Sequence, residues 1–216
     1  MATHSLTLPR YVVVEGTIGV GKTSLARRLA ESFNASLVLE EAEDNPFLER
    51  FYRNPQQAAL PAQLFFLFQR AKQLEVLNQQ DLFTAAHVAD YLLDKDRLFA
   101  GVNLDADELA LYEKVYTHLS LDVPTPDLVI YLQAPTDVLL ERIAQRGIEY
   151  EQHIERSYLE KLNAAYAGFF HDYRAAPLLI VNAAQADFIN RERDYQQLLT
   201  ELARLRPGRQ YFNPAY

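Results

Sequence analysis

Eight consecutive residues, Gly16-Thr17-Ile18-Gly19-Val20-Gly21-Lys22-Thr23, follow the spacing G-x-x-x-x-G-K-[ST], and their chemistry suits a polyphosphate. Glycines let the backbone wrap until successive N–H groups point at one anion, and a helix that begins there adds the positive end of its dipole. In such a loop Lys22 contacts the β- and γ-phosphates and Thr23 ligates magnesium. ATP or GTP with Mg2+ is the implied ligand. The cradle alone leaves open whether the phosphoryl group passes to water, to a protein or to a small molecule.

The acceptor side must decide, and its candidates are carboxylates and amides. Glu40, Glu41, Glu43 and Asp44 follow an apolar run. A carboxylate at the tip of a parallel strand faces the crevice where such sheets bind ligands. That is the right place for a base, while a solvated acidic turn is the ordinary reading of all four acids and fits Glu43 and Asp44 well. Gln63 carries an amide that both donates and accepts hydrogen bonds. Arg70 stands about two helical turns further along. Phe65, Phe66 and Phe68 between them are expected to be buried core rather than site.

Elements must bring these groups together. Tyr11–Glu15 is a compact apolar run before the loop, and Leu25, Leu29 and Phe33 recur at spacings of four after it. That context of strand, loop and helix separates a phosphate site from a chance glycine turn. Similar apolar runs at Ser36–Glu40, Thr84–Ala89, Leu128–Leu132 and Leu178–Val181 alternate with helical patterning over Pro61–Leu77, Ala106–Leu119, Pro135–Gln145, Ser157–Tyr173 and Arg191–Leu205. Alternation of this kind implies an α/β fold, a doubly wound five-stranded parallel sheet covered on both faces. Asp105 with Glu108 reads as a capping box, and Pro135 suits a first helical turn. Met1 to Pro9 is expected to be a frayed leader. The tail 207–216, with two prolines and three aromatics, is expected to pack on the body or on a partner subunit.

Taken in order, the phosphate loop, the stretch Glu40-Glu41-Ala42-Glu43-Asp44-Asn45-Pro46-Phe47-Leu48, Tyr52 with Gln63, and Arg142 to Leu162 resemble the deoxynucleoside kinase family, particularly its bacterial deoxyadenosine and deoxyguanosine kinase branch. The resemblance covers roughly Tyr11 to Tyr173 and implies one P-loop kinase domain over 1–216, with a helical lid at about 142–153. By that resemblance Glu40 takes the proton from the 5′-hydroxyl of a deoxynucleoside, purine favoured, and ATP is the donor. Glu41 is the fallback for Glu40; Tyr52 and Glu151 hold the sugar 3′-hydroxyl; Gln63 and Arg70 serve the base, as does Asp96, although Asp94 to Arg97 reads equally as a solvated charge cluster. Asp90 lies near magnesium, Arg142 and Arg146 steady the transferring phosphoryl group, and the protein forms a homodimer. Phe99 packs against either base or core.

Two departures stand out. Tyr91 and Leu92 replace an arginine and a serine of the family pattern, which leaves the arginine's contact near the 5′-oxygen open to another cation, and Ile148 replaces a third lid arginine. Two rival readings fit parts of the pattern. A thymidylate-type nucleoside monophosphate kinase would need extra cations for the acceptor phosphate, for which Arg53, Arg70 and Arg97 are available. A nucleotide-dependent switch would need no acceptor and has no use for Glu40, Tyr52, Gln63 and Glu151.

Composition narrows the partners. The 216 residues are 49% hydrophobic and 23% charged, with a formal net charge of -8 and no cysteine. Such a chain opposes broad attraction to nucleic acid or anionic membrane, has no disulfide framework or thiolate metal site, and is expected in the cytoplasm. The five histidines share no ligand spacing, and His87 is expected to be a satisfied structural residue.

Overall fold

The computed structural model describes residues 9–80, 86–119 and 121–214. The leader expected at 1–9 falls outside them except for Pro9. Strand β1 (Tyr11–Gly16) leads through the glycine loop into helix α1 (Lys22–Phe33) and β2 (Ser36–Val38). Helices α2 (Leu48–Arg53) and α3 (Pro55–Gln80) precede β3 (His87–Ala89), which leads into α4 (Lys95–Asn103). The second half runs α5 (Ala106–Leu119), β4 (Leu128–Gln133), α6 (Thr136–Arg146), α7 (Arg156–Asp172), β5 (Leu178–Asn182), α8 (Glu192–Ala203) and β6 (Arg209–Phe212).

The sheet is wholly parallel, in the order β2-β3-β1-β4-β5-β6. It winds to one side of β1 for β2 and β3 and to the other side for β4, β5 and β6. The glycine loop thus leaves the strand at which the winding reverses, the place where open α/β sheets bind ligands. Strand residues alternate between two cores, as the period of two demands. Val12, Val14, Leu128, Ile130 and Leu132 face α1, α6 and α8. Val13, Val129 and Tyr131 face the other layer, where Tyr166 and Phe170 of α7 pack. A third core lies among the helices alone, where Ala58, Ala59 and Ala62 of α3 let Leu48, Phe51 and Tyr112 approach closely.

The structure has six strands where the sequence pattern predicts five. The sixth comes from the tail: Leu178 pairs with Arg209 and Val181 with Phe212, so the tail packs on its own sheet. Its four residues lie between Pro207 and Pro214, too short a run for periodicity to register. Helices α2 and α4 are likewise additional, and α3 begins at Pro55, before the expected Pro61. The second strand stops at Val38 rather than Glu40. Only His87–Ala89 of the expected Thr84–Ala89 is seen as strand, residues 84 and 85 lying outside the described residues. The capping box forms as expected: Asp105 Oδ1 accepts from the Glu108 N–H at 2.9 Å, and Glu108 Oε2 accepts from the Asp105 N–H at 3.3 Å. Among the described residues no helix is long and apolar enough to cross a membrane.

Candidate active site

The glycine loop is shaped by close packing. Gly16 has φ +148°, and a Cβ there would sit 2.4 Å from the Leu132 carbonyl oxygen of β4, so any side chain would force the loop off the sheet. Gly21, at φ +101°, caps α1 without a side chain, which leaves the first N–H groups of the helix to a ligand. Lys22 reaches back over this loop, its Nζ 3.4 Å from the Thr17 carbonyl oxygen. Burial, and then the neighbouring Lys95 ammonium, lower its pKa, while Glu15, Glu40 and Asp90 oppose that shift.

Two cavities meet at this lysine. One, of about 660 Å³, runs from Gly21 past Arg142 to the loop 183–191. The other, of about 680 Å³, runs from Thr23 past Glu40 to Tyr52, Gln63 and Glu151. Gly19, Lys22, Thr23, Ser24 and Arg146 belong to both. A ligand chain laid across the loop would therefore have one end in each cavity.

Glu40 stands in the wall of the second. Its backbone N–H donates to Asp90 Oδ1 at 2.8 Å, and the other oxygen of Asp90 accepts from Thr23 Oγ1 at 2.5 Å. One buried carboxylate thereby fixes the strand tip to α1. The Glu40 side chain receives Arg70 Nη2 on one oxygen and Lys95 Nζ, at 2.8 Å, on the other. Burial alone would raise its pKa, but Lys95 and Arg70 hold the carboxyl well below the usual carboxylate range. It is ionised and accepts hydrogen bonds only. Glu41 lines the same cavity.

The other expected residues divide. Tyr52, Gln63, Arg70 and Glu151 all line the second cavity. The Tyr52 phenol is pushed well above its ordinary pKa by burial and then by Tyr158, Glu151 and Glu40, so it remains a donor. Its ring stacks on Tyr150, with centroids 6.1 Å apart and planes 9° from parallel. Asp96, expected at the base, instead sits behind Arg70: it is fully buried, pairs with the guanidinium, and is absent from the cavity wall. Asp96 Oδ2 and Arg70 Nε are left without hydrogen-bond partners among the described residues. The lid pair also separates. Arg146 Nη2 donates to Glu151 at 2.5 Å, whereas Arg142 donates to the carbonyls of Val20 (3.1 Å), Ala183 (2.8 Å) and Ala186 (3.3 Å) in the first cavity. The two arginines do not converge on one point. Arg142, expected with Arg146 at the transferring phosphoryl group, is held by backbone carbonyls at the wall of the first cavity.

Several residues escaped the sequence pattern. Phe66, expected to be core, lines the second cavity, and Phe68 is 51% exposed. Phe99 lines the cavity and also packs edge-on against Tyr166. His87 is buried, but its Nδ1 has no partner among the described residues, so it is not satisfied. Lys95 and Glu15 are the chief omissions: both are buried, Lys95 between two carboxylates. The one available signal for Lys95 was its place four residues before Phe99, on the inward stripe of α4. Arg53 and Arg97, proposed as extra cations for an acceptor phosphate, pair on the surface with Glu49 and Glu113 and line neither cavity.

The donor set near Lys22 suits a small hard cation. Magnesium takes one or two protein oxygens and completes its shell with water and phosphate, and the hydroxyl of Thr23 beside the carboxylate of Asp90 offers such a pair. No cluster of three His, Cys, Asp or Glu side chains able to hold a metal occurs among the described residues.

The chain is similar to known proteins along most of its length. The family model for deoxynucleoside kinase matches residues 12–205. The deoxyguanosine kinase of Bacillus subtilis (strain 168) is 35% identical over 200 residues, 90% of this chain and 97% of its own length. The deoxyadenosine/deoxycytidine kinase of the same organism is 30% identical over 213 residues, 94% and 96% of the two chains. A structure of deoxyadenosine kinase from M. mycoides with bound dATP superposes with a TM-score of 0.77 at 26% identity, covering 89% of this chain and 98% of that one.

Proposed function

Because the chain belongs to the deoxynucleoside kinase family, and so phosphorylates deoxynucleosides at the expense of a nucleoside triphosphate, we propose that Glu40 is the general base of the transfer. The observation that carries this reading is the meeting of the two cavities at Lys22. A triphosphate held by the glycine loop then points its last phosphate at the cavity where Glu40 stands. The 5′-hydroxyl gives its proton to Glu40 as its oxygen bonds to the γ-phosphorus, and the diphosphate leaves with the electrons of the broken bond. A carboxyl held below its usual range is a weak base. That suffices when phosphoryl transfer is loose, because the hydroxyl turns acidic only as the new bond forms.

The remaining residues bind and orient. Lys22 and the N–H groups of residues 16–23 hold the triphosphate, which we take to be ATP. Thr23 and Asp90 would hold Mg2+, which supplies charge neutralisation to the β- and γ-phosphates. Tyr52 and Glu151 face the 3′-hydroxyl, Gln63 and Arg70 the base, with Asp96 holding Arg70 in place. Arg146 works from the lid at 142–153. A purine acceptor is supported by the names of the two Bacillus relatives, deoxyguanosine and deoxyadenosine/deoxycytidine kinase. A cytoplasmic homodimer completes the proposal: the donor triphosphate is made in that compartment, and light scattering would test the dimer.

Incubating the protein with each of the four deoxynucleosides, ATP and Mg2+, and repeating this with Glu40→Gln, tests the assignment. Turnover should collapse by about 10²–10⁴-fold in the variant while ATP still binds. Undiminished turnover would move the base to Glu41 or elsewhere.

A further inference from the structure

We infer that Lys95 is a catalytic residue of this transfer, its ammonium meeting the negative charge that gathers on the 5′-oxygen and the moving phosphoryl group. The inference rests on Glu40 being the base. Lys95 is 4% exposed and lines the cavity that holds Glu40. Its Nζ stands 2.8 Å from Glu40 Oε2 and 3.9 Å from Glu15 Oε1. A lysine buried this deeply is costly unless paired, and both its partners belong to the machinery around the glycine loop.

Glu15 is the anchor. It is fully buried and immediately precedes Gly16, accepting from the Gly16 N–H at 2.6 Å, the Leu92 N–H at 3.0 Å and the Tyr166 hydroxyl at 2.9 Å. Every one of those bonds ties it to β1, α7 or the turn after β3, so Lys95 is referenced to the phosphate loop itself. The second cation on Glu40 is held differently. Arg70 has Asp96 as its other partner, on the helical side of the pocket, so the guanidinium belongs to the base and the ammonium to the phosphates. Position 91, where the family pattern places an arginine, cannot serve: the Tyr91 hydroxyl donates to Gln73 on α3 at 2.7 Å, and Tyr91 lines neither cavity.

The chemistry gives this lysine a task suited to a cation held beside Glu40. The 5′-oxygen bonds to the γ-phosphorus, the bond from that phosphorus to the β–γ bridging oxygen breaks with its electrons leaving on the diphosphate, and the hydroxyl proton passes to Glu40. Glu40 is then neutral and no longer a counter-ion. Lys95, no longer paired with a carboxylate at position 40, is left to pair with the anion just formed beside it. Before the step the same ammonium keeps Glu40 ionised and oriented.

Lys95→Met and Lys95→Ala test this, measured beside Glu40→Gln. The expected result for Lys95→Met is a fall in kcat of about 10²–10³-fold, as for loss of one preorganised donor, with ATP binding by calorimetry changed less than about threefold. Lys95→Ala should regain activity, saturably, with added ethylammonium and not with tetramethylammonium at the same ionic strength. A merely structural lysine would give no such selective rescue. If Lys95→Met fails to fold because Glu15 is left without its cation, the double variant Lys95→Met, Glu15→Gln removes the orphaned charge and serves the same measurement. A folded variant with kcat within about threefold of the parent, or rescue absent or equal for both amines, overturns the inference. Normal turnover by Glu40→Gln would instead overturn the base assignment. An inactive Glu40→Gln beside an active Lys95→Met would overturn Lys95 alone.

Discussion

The two halves of this site are built in opposite ways. The phosphate half is made of backbone: eight contiguous residues join β1 to α1, and their geometry is fixed by Gly16 packed against β4 and Gly19 against α6. The nucleoside half is made of side chains drawn from separate places, Glu40 beyond β2, Tyr52 on α2, Gln63 and Arg70 on α3, Lys95 on α4 and Glu151 before α7. A backbone cradle recognises what all triphosphates share. A wall assembled from three helices and two loops can be altered one side chain at a time, which suits it to selecting one acceptor.

If the halves are separable, damage to one should leave the other measurable. The largest effect is expected from Lys22→Met, which strips the cradle of its cation: kcat should fall by about 10³-fold, while deoxynucleoside binding measured without ATP stays near the parent value. Next comes Asp96→Ala, which leaves Arg70 buried with Glu40 as its sole carboxylate. Breaking a buried pair costs about 3 kcal/mol, read as a lowered urea midpoint, and KM for the deoxynucleoside should rise while ATP affinity holds. If ATP affinity falls in step, the halves are one unit and the comparison breaks.

Smaller changes sharpen it. Tyr52→Phe keeps the ring on Tyr150 and deletes the hydroxyl, so kcat/KM should drop about 10-fold or more. A 3′-deoxy substrate should lose as much with the parent protein and nothing further with the variant. Arg142→Ala removes bonds to three carbonyls of the donor cavity, so KM for ATP should rise several-fold with kcat little changed; a collapse in kcat would restore Arg142 to the centre of transfer. The smallest effect belongs to Asp105→Ala, which opens the capping box of α5 far from both halves: about 1 kcal/mol of stability and no change in kinetics.

The same contrast explains what could be read from the sequence. The glycine loop announces itself because its chemistry is local, and α5 has its expected bounds because the cap and the 3.6-residue period are local too. Lys95 and Asp96 lie in the run Asp94-Lys95-Asp96-Arg97, which looks like any solvated charge cluster. Nothing in the run says that the middle two face inward while Arg97 faces water; that depends on α3 supplying Arg70 and on β1 supplying Glu15. Arg142 and Arg146 share a helix face by spacing, yet different tertiary acceptors draw them apart. Strand β6 was hidden because its pairing partner, β5, defines it more than its own four residues do.

The stack of Tyr150 on Tyr52 has a mechanical meaning. Tyr150 sits in the short turn Glu149–His153, beside Glu151, whose carboxylate grips Arg146 at the rim shared by both cavities. One short segment therefore carries both the ring contact to Tyr52 and the ion pair to Arg146, and so joins the walls of the two compartments like a plate fixed to two doors.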